Sequence, residues 1–367
     1  MKKILLPVLI LLAIACQKVY PEIIHIEGGR MHVQGIALDR KTDCMYSSFT
    51  SSFLKTDLEG NITGSITGIN GHLGDIAFDA SGRKAYASLE LKDDAIGRGI
   101  SNALGASKHS REQSCFYIAE IDVDKLTGLD MPFEEVAKVY AIGEAAKDYM
   151  AKVTLDGTEA EHRYGCSGID GIAIGPAFGS GSRKADHLYV AYGIYGDTTR
   201  TDNDYNIILC YRLDDLSTPE HKYFVRTGNT TYGVQNMAYD KASRKLYLAV
   251  YKGKKPQYPN YELFALDIDQ TPYQAPLKDV PYQDEVVEQL DVCKGWHFKW
   301  GSTGLCPLGD GRWYISENSK KDGIEICDAR MYTLSENGTP PFIPYVATKK
   351  EAHTSFFKHL ATLCQLI

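Results

Sequence analysis

The chain has 367 residues, of which 44% are hydrophobic and 24% are charged, and its formal net charge at pH 7 is −7. This is the composition of an ordinary globular protein, and its acidic balance argues against nucleic acid as a partner. Length alone would suggest two or three domains, but closed β-architectures of this size often form one domain.

The first residues predict an export signal. A basic tripeptide at 1–3 precedes the apolar run from Ile4 to Ile14, which is too short to span a bilayer. The run ends at a cysteine and resembles a bacterial lipoprotein signal, in which Cys16 would be lipidated, although Ala13 stands where leucine is commonest. Ordinary secretion with cleavage near Ala15 is the alternative. We therefore expect a signal peptide at 1–15 and a tether at 16–21, with lipid anchoring at a bacterial cell-envelope membrane.

One short module recurs along the mature chain. A polar, glycine-containing entry leads into small and apolar residues that usually end at an acid, and a second apolar strand follows. Five copies are present: His32–Asp39, His72–Asp79, Cys166–Ile174, Tyr232–Asp240 and Gly301–Leu308. Each copy begins a unit of about four strands, and such periodic units are typical of a β-propeller. The sequence predicts an all-β, five-bladed propeller over 22–346, with six blades as the alternative if 129–165 hides another.

Two segments compete to complete the fifth blade. Glu22 to Glu27 alternates like a strand and would close the ring from the N-terminus, whereas Phe342 to Val346 could occupy the same edge. Val286 to Val292 is expected to be the last strand of the fourth blade, and Leu91 to Ser114 a long polar loop. The C-terminal tail at 347–367 has apolar residues at helical spacing, so it could pack as a helix or be disordered.

The cysteines predict buried thiols. Besides Cys16 there are eight, which is an even number in a compartment that permits disulfides. However, no CxxC pair exists, and most of the cysteines lie in apolar strand patterns, so free buried thiols are the favoured interpretation. A structural zinc site would need ligand pairs two to four residues apart, and the sequence has none.

Propeller topology predicts where a site should lie. The start of each inner strand and the end of each second strand share one face around the channel, and the long loops fall there too. The predicted ligand-binding residues on this face are His32, Gln34, His72, Gln235, Asn236, Tyr192, Lys252, Lys254 and Ser302. Lys252 and Lys254 form a local cation cluster beside tyrosines, so they could hold an anionic sugar or a phosphate on which the tyrosines stack; a solvated loop is the alternative.

Acids from different blades converge on the same axis. Asp75 and Asp170 are candidate calcium ligands, because Ca²⁺ prefers six to eight oxygens in flexible geometry. The same two residues, with Glu90 and His297, are candidates for acid–base catalysis. The alternative is that these groups only hydrogen-bond the backbone and water at a polar channel mouth. Gly-x-Ser-x-Gly is absent, and so is a phosphate-binding loop.

The Gly-Ile-Ala-hydrophobic-Asp strand and the tyrosine-centred second strand resemble those of exported NHL-repeat, gluconolactonase-like and strictosidine-synthase-like propellers. The segment Tyr192–Asp197 is closer to that of an uncharacterised lipoprotein family. The resemblance implies the fold, and calcium is often held at the channel of that class, but it implies no catalytic residue. We expect a monomeric lipoprotein that binds a glycan or small molecule. A calcium-assisted hydrolase or lyase acting on a small anionic or carbohydrate substrate is the alternative.

Overall fold

The computed structural model describes residues 20–29, 31–105, 114–282, 285–335 and 337–346. The expected signal peptide, the lipidated Cys16 and the tail at 347–367 therefore lie outside the described residues. Of the expected tether at 16–21, Tyr20 and Pro21 are described, and Tyr20 is buried against the body of the protein. None of the described helices is long and apolar enough to cross a membrane.

The first two blades use consecutive strands, in agreement with the repeat pattern. An N-terminal strand, β1 (Ile23–Glu27), precedes them. The first blade consists of β2 (Val33–Asp39), β3 (Cys44–Phe49), β4 (Ser52–Thr56) and β5 (Ile62–Ile66). The second consists of β6 (His72–Asp79), β7 (Lys84–Leu91), β8 (Cys115–Asp122) and β9 (Ala137–Ala141).

Helices and a small hairpin separate the second and third blades or extend from them. The helices are α1 (Ala95–Leu104), α2 (Phe133–Val136) and α3 (Gly143–Met150), with a 3₁₀ turn at Arg163–Gly165. The hairpin consists of β10 (Lys152–Leu155) and β11 (Thr158–Glu161). Residues 129–165 therefore do not form a sixth blade. The segment expected to be a polar loop contains α1, which corrects that expectation.

The third and fourth blades share a less regular region. The third has β12 (Cys166–Gly175), β13 (His187–Ile194), β14 (Tyr205–Arg212) and β15 (His221–Arg226). The fourth has β16 (Thr231–Asp240), β17 (Lys245–Tyr251) and β18 (Leu263–Asp267). Three strands follow: β19 (Tyr273–Pro276), β20 (Val286–Leu290) and β21 (Lys294–Trp296).

The expectation for Val286 to Val292 is wrong. Strand β20 pairs in parallel with β15 of the third blade, and β19 extends that sheet to six strands. The outer strand of the fourth blade is instead β21, which pairs Trp296 with Leu263 of β18. The hydrophobic alternation of β20 identifies a strand, but it cannot identify the edge that the strand joins.

The fifth blade consists of β22 (Leu305–Pro307), β23 (Arg312–Lys321), β24 (Ile324–Leu334) and β25 (Phe342–Pro344), together with β1. Both expected competitors are used. β1 pairs with 326–330 of β24, and β25 pairs with 332–334 along the same edge. The N-terminal strand thus closes a five-bladed propeller, as predicted.

The core lies between the blades. Five clusters of buried apolar residues occur among the described residues, one at each interface between neighbouring blades. Large aromatic side chains such as Trp313, Tyr46 and Tyr247 fill these interfaces. None of the seven described cysteines forms a disulfide. The expectation of buried thiols holds for Cys166, Cys210, Cys306 and Cys327, whereas Cys44 and Cys115 are half-buried and Cys293 is exposed.

Candidate functional site

The inner strands β2, β6, β12, β16 and β22 all run in the same direction along the propeller axis. We call the end where they begin the upper face, and the end where they finish the lower face. A cavity of about 400 Å³ opens at the upper face, and we call it the mouth cavity. Its polar lining includes His32, Gln34, His72, Glu90, Lys92, Asp170 and Gln235. A volume of this size suits a small ligand.

The rest of the lining is mostly apolar. Ile96 and Ile100 come from α1, and Ile169, Met31 and Tyr232 also line the cavity. We call these five residues the apolar wall and the polar residues named above the polar wall. The α1 helix begins after Asp94, whose carboxylate accepts a hydrogen bond from the Gly97 N–H at 2.8 Å. The helix also lies close to the end of β7, since a Cβ on Gly97 would stand 1.8 Å from the carbonyl oxygen of Lys92. The cavity thus combines one polar wall with one apolar wall.

A hydrogen-bonded charge network organises the polar wall. Lys92 is almost completely buried, and its Nζ donates to the Ser167 carbonyl at 2.7 Å and to Glu90 Oε2 at 2.8 Å. The other Glu90 oxygen accepts from the Ile169 N–H at 2.6 Å. His72 Nδ1 lies 3.3 Å from Glu90 Oε2, so it donates there and leaves Nε2 available. The contacts of Lys92 with Ser167 and of Glu90 with Ile169 join the second blade to the third.

Burial and these charges set the protonation of the network. Burial raises the pKa of Glu90, but the charge of Lys92 and the contact with His72 outweigh it, so the pKa lies below its usual value. Burial lowers the pKa of His72. The hydrogen bond to Glu90 and the charge of Asp170 raise this pKa by more, so it lies above its usual value. Glu90 is therefore ionised at neutral pH, and the protonated form of His72 is more stable than that of an ordinary imidazole.

Asp170 is the least satisfied acid in the cavity. Burial, with the nearby charge of Glu90, raises its pKa to about 7. Its Oδ1 atom is buried and has no hydrogen-bond partner. Gly74 makes room for this carboxyl group, because a Cβ there would lie 2.4 Å from Oδ1. A buried carboxyl group that is half protonated near neutral pH can donate or accept a hydrogen bond from a ligand.

Asp75 has a different environment from Asp170. Its Oδ2 accepts from the backbone N–H groups of Ile172 and Met237, and its Oδ1 accepts from that of Ile76. It does not line the mouth cavity but ties three blades together on the axis. Asn236 acts similarly, since its Nδ2 donates to the carbonyls of Gln34 and Ser302. Burial raises the pKa of Asp75, although its three backbone donors oppose the rise.

The other predicted residues divide by position. Gln34 and Gln235 line the cavity, and so does His32, whose Nε2 lies 3.3 Å from the hydroxyl of Tyr251. Tyr192 is buried between blades, where it donates to Asp148 at 3.0 Å. His297 is exposed at the edge of the fourth blade and contacts Glu262 at 2.8 Å, outside the cavity.

Lys252 and Lys254 are exposed on the upper face but do not line the cavity. The next lysine along the chain, Lys255, is buried. Its Nζ donates to Arg200 O, Asn203 Oδ1 and Asp204 Oδ1 at 2.6–2.9 Å. An ammonium group therefore lies where the acid-rich loop at 197–204 could have held a cation. Among the described residues, no group of three or more His, Cys, Asp or Glu is placed to hold a metal ion.

Sequence reasoning missed Lys92 and α1. Lys92 follows Glu90 at a spacing of two, which places both side chains on the same side of a strand, and this alternation was a usable signal. An Asp N-cap and the spacing of Ile96 and Ile100 likewise indicated a helix. Gly97 and Gly99 weaken that pattern, because glycine lowers helix propensity.

No family model matches the chain, and no curated protein matches it. Several solved structures resemble the chain at low sequence identity. The crystal structure of a nidogen/laminin complex is 14% identical, with a TM-score of 0.37 over 77% of this chain and 71% of that one. The PQQ-bound aldose sugar dehydrogenase from Streptomyces coelicolor is 12% identical, with a TM-score of 0.36 over 85% and 100%. The calcium structure of a Trichoderma reesei carbohydrate-active enzyme of family AA12 is 10% identical, with a TM-score of 0.39 over 81% and 80%. The chain is a five-bladed β-propeller by its own strand order, and similarities this low carry no argument about its function.

Proposed function

We propose that the protein is a lipoprotein of a bacterial cell envelope that binds a glycan or another small hydroxylated ligand in the mouth cavity. The observation that carries the proposal is the pairing of a polar wall with the apolar surface of α1 and Tyr232. Sugars have hydroxyl edges and apolar ring faces, so they match both walls. Membership of the exported propeller class that the sequence resembles is part of the same proposal, as are a monomeric state and the absence of a nucleic-acid partner.

The charges of the cavity favour a neutral ligand over an anionic one. Its lysine, Lys92, is already paired with Glu90 at 2.8 Å and lies 3.5 Å from Asp94. Asp170 adds a carboxyl group whose Oδ1 has no partner. A carboxylate on the ligand would meet these acids in a buried site, where repulsion is weakly screened. A neutral hydroxyl could instead donate to Asp170 and accept from His72.

Matched sugar pairs test this function. The mature protein would be titrated calorimetrically with glucose and glucuronate, and with galactose and galacturonate, and its thermal unfolding followed in parallel. A bound sugar should raise the stability by about 2.7 kcal/mol at 100 times its Kd. Binding should be lost in Asp170→Asn and Gln34→Ala. Lys252→Ala is the control, because that side chain lies on the same face but outside the cavity. Binding that survives both cavity substitutions, or no binding by any sugar, would contradict the proposal.

The alternative function is a hydrolase or lyase. It is favoured by one feature: Glu90 orients His72 through Nδ1, which leaves Nε2 to exchange a proton with a ligand beside Asp170. Removing the orienting group should lower the pKa of His72. Nuclear magnetic resonance of the imidazole should show this in Glu90→Gln, and turnover of any bound glycoside should fall in the same variant. If glycosides bind but are not turned over, the hydrolase or lyase alternative is wrong and the binding function stands.

Calcium assistance is a further part of the alternative. Asp75 would have to give up its hydrogen bonds to the backbone of Ile172 and Met237 to become a ligand, whereas Asp170 has a free oxygen. Thermal unfolding in calcium and in EDTA tests this directly. A rise in melting temperature that needs calcium and disappears in Asp170→Ala would support it, and equal curves would contradict it.

A further inference from the structure

The described chain enters the propeller at its lower face. Tyr20 is buried there, and the Nε of Arg40, which directly follows β2, lies 3.3 Å from its hydroxyl. The same Arg40 donates to the carbonyl of Leu308 at 2.9 Å, at the lower end of β22. Pro21 is held as well, because its carbonyl accepts from the hydroxyl of Tyr314 at 2.6 Å. The N-terminal segment is therefore fixed to the lower face from Tyr20 onward.

The length of chain before Tyr20 limits where Cys16 can be. Four residue steps separate them, and a fully extended chain covers at most about 14 Å over that distance. The inner strand β2 has seven residues, so it spans about 24 Å from the upper to the lower face. From its fixed position at the lower face, the segment is too short to carry Cys16 to the mouth cavity.

The two ends of the axis also differ in charge. The mouth cavity is lined by titratable side chains such as Glu90, Lys92 and Asp170, whereas no charged side chain of the described residues lines the pit of about 200 Å³ at the lower end. Leu38, Phe78, Ile174, Tyr239 and Pro307 are among the residues that line this pit. Moving an uncharged surface from water to the bilayer interface costs less free energy than moving the charged mouth there would.

We propose that the lower face rests on the lipid bilayer, held there by the acyl chains on Cys16, and that the mouth cavity opens away from the membrane. This inference rests on the proposed lipidation of Cys16. It commits the ligand to arrive from the aqueous compartment and not from the bilayer. The short tether is what orients the protein.

Charge does not account for this orientation. Lys41, Arg183 and Lys241 are exposed near the axis of the lower face, but exposed acids such as Asp124 and Asp214 lie further out on the same face. The two signs oppose each other, so the same orientation is expected on zwitterionic and on anionic bilayers.

Lysine footprinting on membranes tests the orientation. The lipidated full-length protein would be reconstituted in phosphatidylcholine vesicles and treated with a water-soluble acetylating reagent, and modification would be read by mass spectrometry. Lys41 and Lys241 report on the lower face, and Lys252 and Lys254 report on the upper face; all four are exposed. The matched control is the Cys16→Ser protein in solution, which carries no lipid.

We expect acetylation of Lys41 and Lys241 to fall at least threefold on vesicles, with Lys252 and Lys254 unchanged. Inserting a twenty-residue Gly/Ser linker between Val19 and Tyr20 should restore acetylation of the lower lysines. Equal protection of both faces, or protection that persists with the long linker, would overturn the orientation while the lipoprotein proposal stands. If the mass of the N-terminal peptide shows no lipid on Cys16, both the orientation and the lipoprotein proposal are wrong.

Discussion

Asp75 in the second blade accepts a hydrogen bond from the backbone N–H of Met237 in the fourth blade, at 2.8 Å. The same oxygen accepts from Ile172 in the third blade, at 2.9 Å. One buried carboxylate thus fixes three inner strands where they converge on the axis. It supplies acceptors for backbone groups that cannot reach a sheet partner there.

Replacing Asp75 with alanine should destabilise the whole propeller. Up to three buried N–H groups would lose their acceptor, and each costs about 1–3 kcal/mol. We expect the free energy of unfolding in urea to fall by at least about 3 kcal/mol. Asp75→Asn is the control, because it keeps one carbonyl acceptor and should lose less. An alanine variant as stable as the parent would show that water replaces the carboxylate at no cost.

Asp170 makes the stability of the unliganded protein depend on pH. Its pKa is about 7 in the folded state, against about 3.9 for an unfolded aspartate. The folded state therefore binds the proton more tightly than the unfolded state does. The contribution of Asp170 to stability should be greatest below about pH 4, should fall as the pH rises to about 7, and should then level off. The loss should be on the order of a few kcal/mol.

The Asp170→Asn variant removes this contribution, since asparagine does not titrate. The raised pKa of His72 also makes stability fall as pH rises, and the variant reduces this effect because the charge of Asp170 helps to raise that pKa. Unfolding in urea at one-unit pH steps should show a shallower decline for the variant between pH 4 and pH 7. Parallel curves for the two proteins would mean that Asp170 is ionised throughout.

Lys255 should be essential to the stability of the upper-face loops that contain Asp204. Removing its ammonium in Lys255→Met would leave Asp204 buried without a cation, which typically costs about 3–5 kcal/mol. Lys254→Met changes the neighbouring exposed lysine and should have almost no effect on the melting temperature. If both variants melt together, the Asp204 carboxylate is satisfied by its contact with Tyr258 alone.

The contribution of β1 to closing the ring can be measured by substituting two of its isoleucines. Ile26 is completely buried between the fifth and first blades, whereas Ile23 is 39% exposed. Ile26→Ala should lower the free energy of unfolding by about 2–5 kcal/mol, and Ile23→Ala by less than about 1 kcal/mol. Equal small effects in denaturant unfolding would mean that β1 is dispensable for closing the ring.

The sequence by itself determined the repeat, the five blades and the face on which polar groups gather. Small apolar residues recur at each inner strand, and the alternation of strands such as Ile23–Glu27 is a local property that can be read along the chain. The sequence predicts His72, Glu90 and Asp170 at one face, because this topology brings the entries of the inner strands and the ends of the second strands together around the channel.

Only the tertiary structure decided which of those residues face the cavity and which hold the fold. Asp75 directly precedes the Ile-Ala pair of its module, whereas Asp170 lies two residues before that of its own. The structure shows that both oxygens of Asp75 accept from backbone N–H groups, two of them in other blades, and that one oxygen of Asp170 has no partner among the described residues. Likewise, β20 joins the third blade because an open strand edge was available there. Hydrogen-bond partners and sheet edges come from distant parts of the chain, so local sequence pattern cannot assign them.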